Sequence, residues 1–226
     1  MANKKLRILC LHGSRTNADV VSMQVSGFRQ AFGNSAEFSW VNAPLRASSR
    51  PDQGILDFFG EEGPYFEWWE EFNRERWSYP GHKVSLPFLQ NYIETQGPFD
   101  IIIGFSQGSS ITHLLTAHYQ AKGQKIPYKA VVSVCGGPAR DGMPEELLLD
   151  GETKKYAQLK IPSIHIVGEK DDIFDLGNDL VEHYSPQSRS YYTHPDGHRF
   201  PAQPAARPMY KEIADKLRDI CALSSA

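Results

Sequence analysis

Residues 104–108 read Gly-Phe-Ser-Gln-Gly, directly after an apolar run from Phe99 to Ile103 and directly before a helical pattern. This context constrains the chain more than the five letters do. A serine on a sharp strand-to-helix turn is held out at the end of a sheet, where its hydroxyl can reach a carbonyl. The flanking glycines let a strained turn form and let the backbone pass close to its neighbours. Ser106 is therefore the candidate nucleophile, and the strand before it is expected to be buried in a parallel sheet.

The rest of the chain repeats that alternation. Strand patterns are expected at Leu6 to Leu11, Phe38 to Val41, Asp100 to Phe105, Lys129 to Val134, Ser163 to Val167 and Ser190 to His194. Helical spacing is expected at Asp19 to Phe32, Leu86 to Thr95, from Ser106 to about Gln120, Leu176 to Tyr184, and Arg207 to Leu223. Strands alternating with helices imply an α/β fold, a mostly parallel sheet of about six strands covered on both faces. At 226 residues the chain has room for one buried core.

Residues 55–80 break the rhythm. Phe58, Phe59, Tyr65, Phe66, Trp68, Trp69, Phe72, Trp77 and Tyr79 crowd this segment, interleaved with acids. It is expected to form a cap or lid over Ser106, with Phe66, Trp68 and Trp69 lining an apolar pocket. A helical excursion packed on the domain is the plainer alternative.

A serine hydroxyl needs a base, and the base needs a partner that fixes its tautomer. In elbow-type sites the order is serine, acid, histidine. Gly168-Glu169-Lys170-Asp171-Asp172 stands at the carboxyl end of a strand, where α/β sheets place their sites. Asp171 is favoured there, with Asp172 as the rival. His198 lies in a turn after the last strand and is favoured as base over His194, which ends that strand. The developing oxyanion requires amide donors. The N–H of Gln107 is one, and the loop after the first strand supplies the other, from Ser14 in preference to Arg15. His12 precedes the serine and is expected to brace that loop.

Net charge is −3, which gives no sign of nucleic acid or of an anionic membrane as a partner. No apolar run approaches a bilayer span, and the N-terminal apolar stretch is too short for a signal-peptide core. A soluble, cytoplasmic protein is expected. Cys10, Cys135 and Cys221 are scattered and read as small buried hydrophobes, with no metal-ligand spacing. No cofactor and no metal is called for.

Taken together the motifs resemble the family serine hydrolase (FSH) group of the α/β-hydrolase superfamily. The matching pieces are Leu11-His12-Gly13, Asn42-Ala43-Pro44, the aromatic segment around Trp68-Trp69, and Gly97-Pro98-Phe99-Asp100 leading into Gly104 to Gly108. Gly168-x-x-Asp171 and His194-Pro195-x-Gly197-His198-x-x-Pro201 complete the set. The resemblance implies one α/β-hydrolase domain over residues 1–226 and a triad of Ser106, Asp171 and His198. It also implies esterase or thioesterase activity on acyl chains through an acyl-enzyme. An acyl carrier protein enters only as a partner of some relatives. One departure is Asp172-Ile173-Phe174-Asp175, which has a second acid and lacks a proline. A binding module with a weak triad and an acyltransferase are the competing functions.

Overall fold

The computed structural model describes residues 4–70, 81–139 and 157–223. Its centre is a six-stranded sheet in the order β2-β1-β5-β6-β7-β8, with every pairing parallel. The strands are β1 (Leu6–Leu11), β2 (Ala36–Val41), β5 (Ile101–Phe105), β6 (Ala130–Val134), β7 (Ser163–Gly168) and β8 (Arg189–His194). All six lie where alternation and β-branched composition place them.

The period of two along each strand sends neighbouring side chains to opposite faces. Ile8, Cys10, Ile101 and Ile103 pack on one face with Val21, Val25, Phe28, Phe32, Ile213 and Leu217. These come from α1 (Ala18–Gln24), α2 (Ser26–Phe32) and α7 (Arg207–Leu223), with Val25 at the junction of the first two. Leu9, Leu11, Ile102 and Val131 pack on the other with Leu89, Ile93, Ile111, Leu114 and Leu180. Those helices are α4 (His82–Gln96), α5 (Gln107–Ala121) and α6 (Phe174–Glu182). Each such fully buried aliphatic side chain stabilises the fold by about 1.5–3 kcal/mol of transfer free energy.

The helix expected from Asp19 to Phe32 is two. Val25 ends α1 and begins α2 with ψ near 11°. Asn17 caps α1 by accepting from the Val20 N–H at 3.0 Å, while its Nδ2 donates to the Pro64 carbonyl at 3.0 Å.

The aromatic segment begins with two pieces too short to show any period. Strand β3 (Leu45–Arg46) pairs antiparallel with β4 (Phe66–Glu67), and α3 (Gln53–Phe59) lies between them. The Phe66 N–H donates to the Thr16 carbonyl at 2.8 Å, which ties this ribbon to the loop after β1. Glu67 is buried, and its Oε1 accepts from the Ser48 N–H at 2.9 Å. Phe72, Trp77 and Tyr79 lie outside the described residues. No helix among the described residues is long and apolar enough to cross a membrane.

Candidate active site

Parallel strands bring their carboxyl ends to one edge, and the loops there build the site. Register Phe105↔Val134 makes Ser106 and Cys135 the next residues on neighbouring strands. Ser106 joins β5 to α5 with φ 52° and ψ −118°, a strained backbone that a non-glycine residue adopts only under constraint. The constraint is packing. A Cβ on Gly108 would fall against the carbonyl oxygens of Leu11 and His12, so only glycine lets α5 start this close to β1.

His198 Nε2 stands 2.8 Å from Ser106 Oγ, and His198 Nδ1 stands 2.8 Å from Asp171 Oδ2. The Asp171 side chain is 1% exposed and that of His198 38%. Asp171 Oδ1 accepts from the Ile173 N–H at 2.9 Å, which fixes the carboxylate. An ionised carboxylate only accepts, so Nδ1 carries the imidazole proton and the Nε2 lone pair faces the serine hydroxyl. The two loops that deliver these groups are laced together. Glu169 N–H donates to His194 O at 2.8 Å and Lys170 N–H to Asp196 O at 3.1 Å.

The rivals stand elsewhere. Asp172 is exposed. His194 is buried with its Nε2 3.8 Å from Cys135 Sγ, and burial lowers its pKa against the opposing pull of Asp196. The structure thus brings Ser106, Asp171 and His198 together and leaves Asp172 and His194 out of contact with the serine.

The loop after β1 runs beside the serine. A Cβ on Gly13 would lie 3.3 Å from the Ser106 Cβ. His12 is buried beneath this loop, with Nδ1 2.7 Å from the Gly13 carbonyl and Nε2 accepting from the Ala43 N–H at 3.0 Å. Burial lowers its pKa to about 4, so it is neutral and braces the loop. Ser14 follows Gly13, and Gln107 opens α5, where the first amide has no intrahelical acceptor.

The aromatic residues expected to line a pocket divide. Phe66 is half-buried, with the Arg46 guanidinium 4.9 Å from its ring centre. Trp68 and Trp69 are 0% and 2% exposed and belong to the core. The Trp68 indole N–H has a buried acceptor, the His12 carbonyl at 2.9 Å, which draws the ring inward. The Gln107 side chain grips the same segment, Oε1 accepting from the Trp68 N–H at 2.6 Å and Nε2 donating to the Trp69 carbonyl at 2.9 Å. Ser85 Oγ donates to the Trp68 carbonyl.

Cys135 is the neighbour that sequence reasoning missed as part of the site. It is buried at the end of β6 with φ 49°. Its Sγ lies 3.4 Å from the Arg199 carbonyl, and its pKa is pushed up to about 12 by burial and then by Asp171. Its position at the carboxyl end of a central strand was the available signal.

An α/β sheet with a strained elbow serine bonded to a histidine and a buried acid defines the class: a serine hydrolase of α/β-hydrolase architecture. The serine hydrolase (FSH1) family profile matches residues 1–209, and the chain belongs to that family. Among similar proteins is the dihydromonacolin L-[lovastatin nonaketide synthase] thioesterase of Aspergillus terreus, 27% identical over 95% of this chain and 91% of its own. Another is the esterase FPY3 of Fusarium mangiferae, 28% identical over 88% of this chain and 90% of its own. The fold is similar to that of Zea mays acyl-protein thioesterase 2, with TM-score 0.61 and 16% identity over 97% of this chain and 95% of that one.

Proposed function

We propose that the chain hydrolyses carboxylic esters or thioesters of apolar acyl groups through a covalent acyl-enzyme. The observation that carries this reading is the unbroken chain of two 2.8 Å hydrogen bonds from Ser106 through His198 to Asp171. Ser106 Oγ attacks the acyl carbonyl while His198 Nε2 takes its proton, then returns it to the leaving alcohol or thiol. Asp171 keeps Nδ1 protonated and stabilises the imidazolium. The amides of Gln107 and Ser14 receive the oxyanion, each worth on the order of 3 kcal/mol of barrier. Water, deprotonated by the same imidazole, then releases the acid.

The ester and thioester alternatives are supported by the names of the relatives. A thioester held on a carrier protein is the finer form of the proposal; the name of the Aspergillus thioesterase, which gives a synthase, supports a protein-bound acyl group. Phe66 and the cap segment 55–80 are the proposed acyl contacts, within one hydrolase domain spanning 1–226. A cytoplasmic setting is part of the same reading, supported by the buried Cys10 and Cys135 being free thiols. The test is a rate series over p-nitrophenyl esters and acyl thioesters of increasing chain length, with the Ser106→Ala protein as blank. Turnover that survives Ser106→Ala overturns the mechanism.

A further inference from the structure

We propose that Cys135, Asp171 and His198 form a zinc-binding site whose occupation arrests the enzyme. One donor atom from each residue, thiol, carboxylate and imidazole, lies within 4.8 Å of the other two. Around a tetrahedral zinc the bonds are about 2.3 Å to sulfur and about 2.0 Å to nitrogen or oxygen, which spaces such donors by roughly 3.3–3.8 Å. The present distances bracket that spacing, since Asp171 Oδ2 and His198 Nδ1 stand 2.8 Å apart. Small side-chain shifts close the site, and the exposed flank of His198 is the way in.

The donor set selects the metal. Sulfur with imidazole suits zinc and cadmium, whereas magnesium and calcium prefer oxygen alone. A thiolate and a carboxylate neutralise a divalent ion, so the buried complex carries no net charge beyond the imidazole's zero. Cys135 is held firmly, with its N–H donating to the Ile166 carbonyl at 2.9 Å and φ 49°. His194 Nε2, 3.8 Å from the same sulfur, is the adjoining polar group.

Binding changes which imidazole nitrogen is protonated. Zinc takes the Nδ1 lone pair, so the ring proton sits on Nε2, and the thiol proton leaves to solvent. One proton is released overall. Nε2 then has no lone pair for the Ser106 proton, and the Asp171–His198 hydrogen bond is replaced by two metal bonds. Arrest rests on the reading of His198 as base, whereas binding does not.

The experiment titrates the full-length protein with zinc chloride during p-nitrophenyl ester hydrolysis, each variant being compared with its own metal-free rate. Expected is inhibition at micromolar zinc, reversed by EDTA and not reproduced by magnesium. Cys135→Ala should require at least about tenfold more zinc, and Cys135→Ser serves if the alanine protein does not fold. Equal zinc sensitivity in the Cys135 variant, or no inhibition of the parent protein, overturns arrest at this site. Cadmium supplies a readout free of catalysis. The cadmium–thiolate charge-transfer band should appear in the parent and in Ser106→Ala and vanish with Cys135→Ser. No band in the parent overturns the site itself, whereas a band without zinc inhibition supports metal binding at Cys135 and overturns arrest.

Discussion

The indole N–H of Trp68 donates to the carbonyl oxygen of His12 at 2.9 Å, and the backbone N–H of the same residue donates to Gln107 Oε1 at 2.6 Å. A single residue, directly after β4, thus joins both stretches of backbone from which the oxyanion donors are proposed to come. Trp68→Phe keeps most of the ring and deletes the donor. Complete loss of one oxyanion donor costs roughly 10²–10³ in kcat. Displacement should cost less, about tenfold in kcat with KM within about twofold, as steady-state kinetics will show. A large rise in KM with kcat preserved assigns Trp68 to substrate contact instead.

Gln107→Ala leaves the Trp68 N–H and the Trp69 carbonyl without their side-chain partners in a buried setting. Each unsatisfied group costs on the order of 1–3 kcal/mol. Urea unfolding should therefore show a loss of several kcal/mol, larger than from truncating an exposed residue such as Gln53. Loss of less than about 1 kcal/mol contradicts the bracing role.

The choice of acid is tested by Asp171→Asn against Asp172→Asn. Asp171 accepts from His198 at 2.8 Å and Asp172 is exposed. The first change admits the wrong imidazole tautomer and should lower kcat by about 10⁴-fold, by analogy with other triads. The second should leave kcat within about twofold, in line with surface substitutions elsewhere. Reversal of that order moves the acid to Asp172.

Acid should destabilise this fold before carboxylates titrate. Burial lowers the pKa of His12 to about 4, that of His165 to about 3, and that of His113 well below its usual value. The His113 tautomer is fixed: Nδ1 accepts from the Ala139 N–H at 3.2 Å, so Nε2 donates to His183 Nδ1 at 3.1 Å. Unfolded histidine binds a proton near pH 6.5, whereas these do not, so the unfolded state gains protons first as pH falls. Stability is full above about pH 6.5 and is lost below it, by about 2 kcal/mol at pH 5 for each of His12 and His165. Denaturant midpoints at pH 7, 6 and 5 should fall steadily, and a flat series contradicts neutral burial.

The sheet was legible because runs such as Ile101-Ile102-Ile103 and Ala130 to Val134 have no other stable home than between two helical layers. Ser106 and the turn carrying His198 were legible from chain order. Asp171 was favoured over Asp172 in sequence, and the reason that one is turned inward and the other exposed lies only in the fold. The break at Val25 is marked only by the Ser26-Gly27 pair inside an otherwise continuous apolar period, and β3 and β4 are each two residues long. The hydrogen bond of Trp68 was not legible, because an aromatic residue gives the same signal whether it faces a substrate or a buried carbonyl.

The most direct measurement is labelling with a fluorophosphonate probe, followed by intact-mass and peptide mapping. One adduct per chain on Ser106 is expected, with labelling markedly slowed in His198→Ala and little changed in Asp172→Asn. An adduct on another residue, or Ser106 labelled just as fast without the His198 imidazole, contradicts the activation of this serine by its histidine.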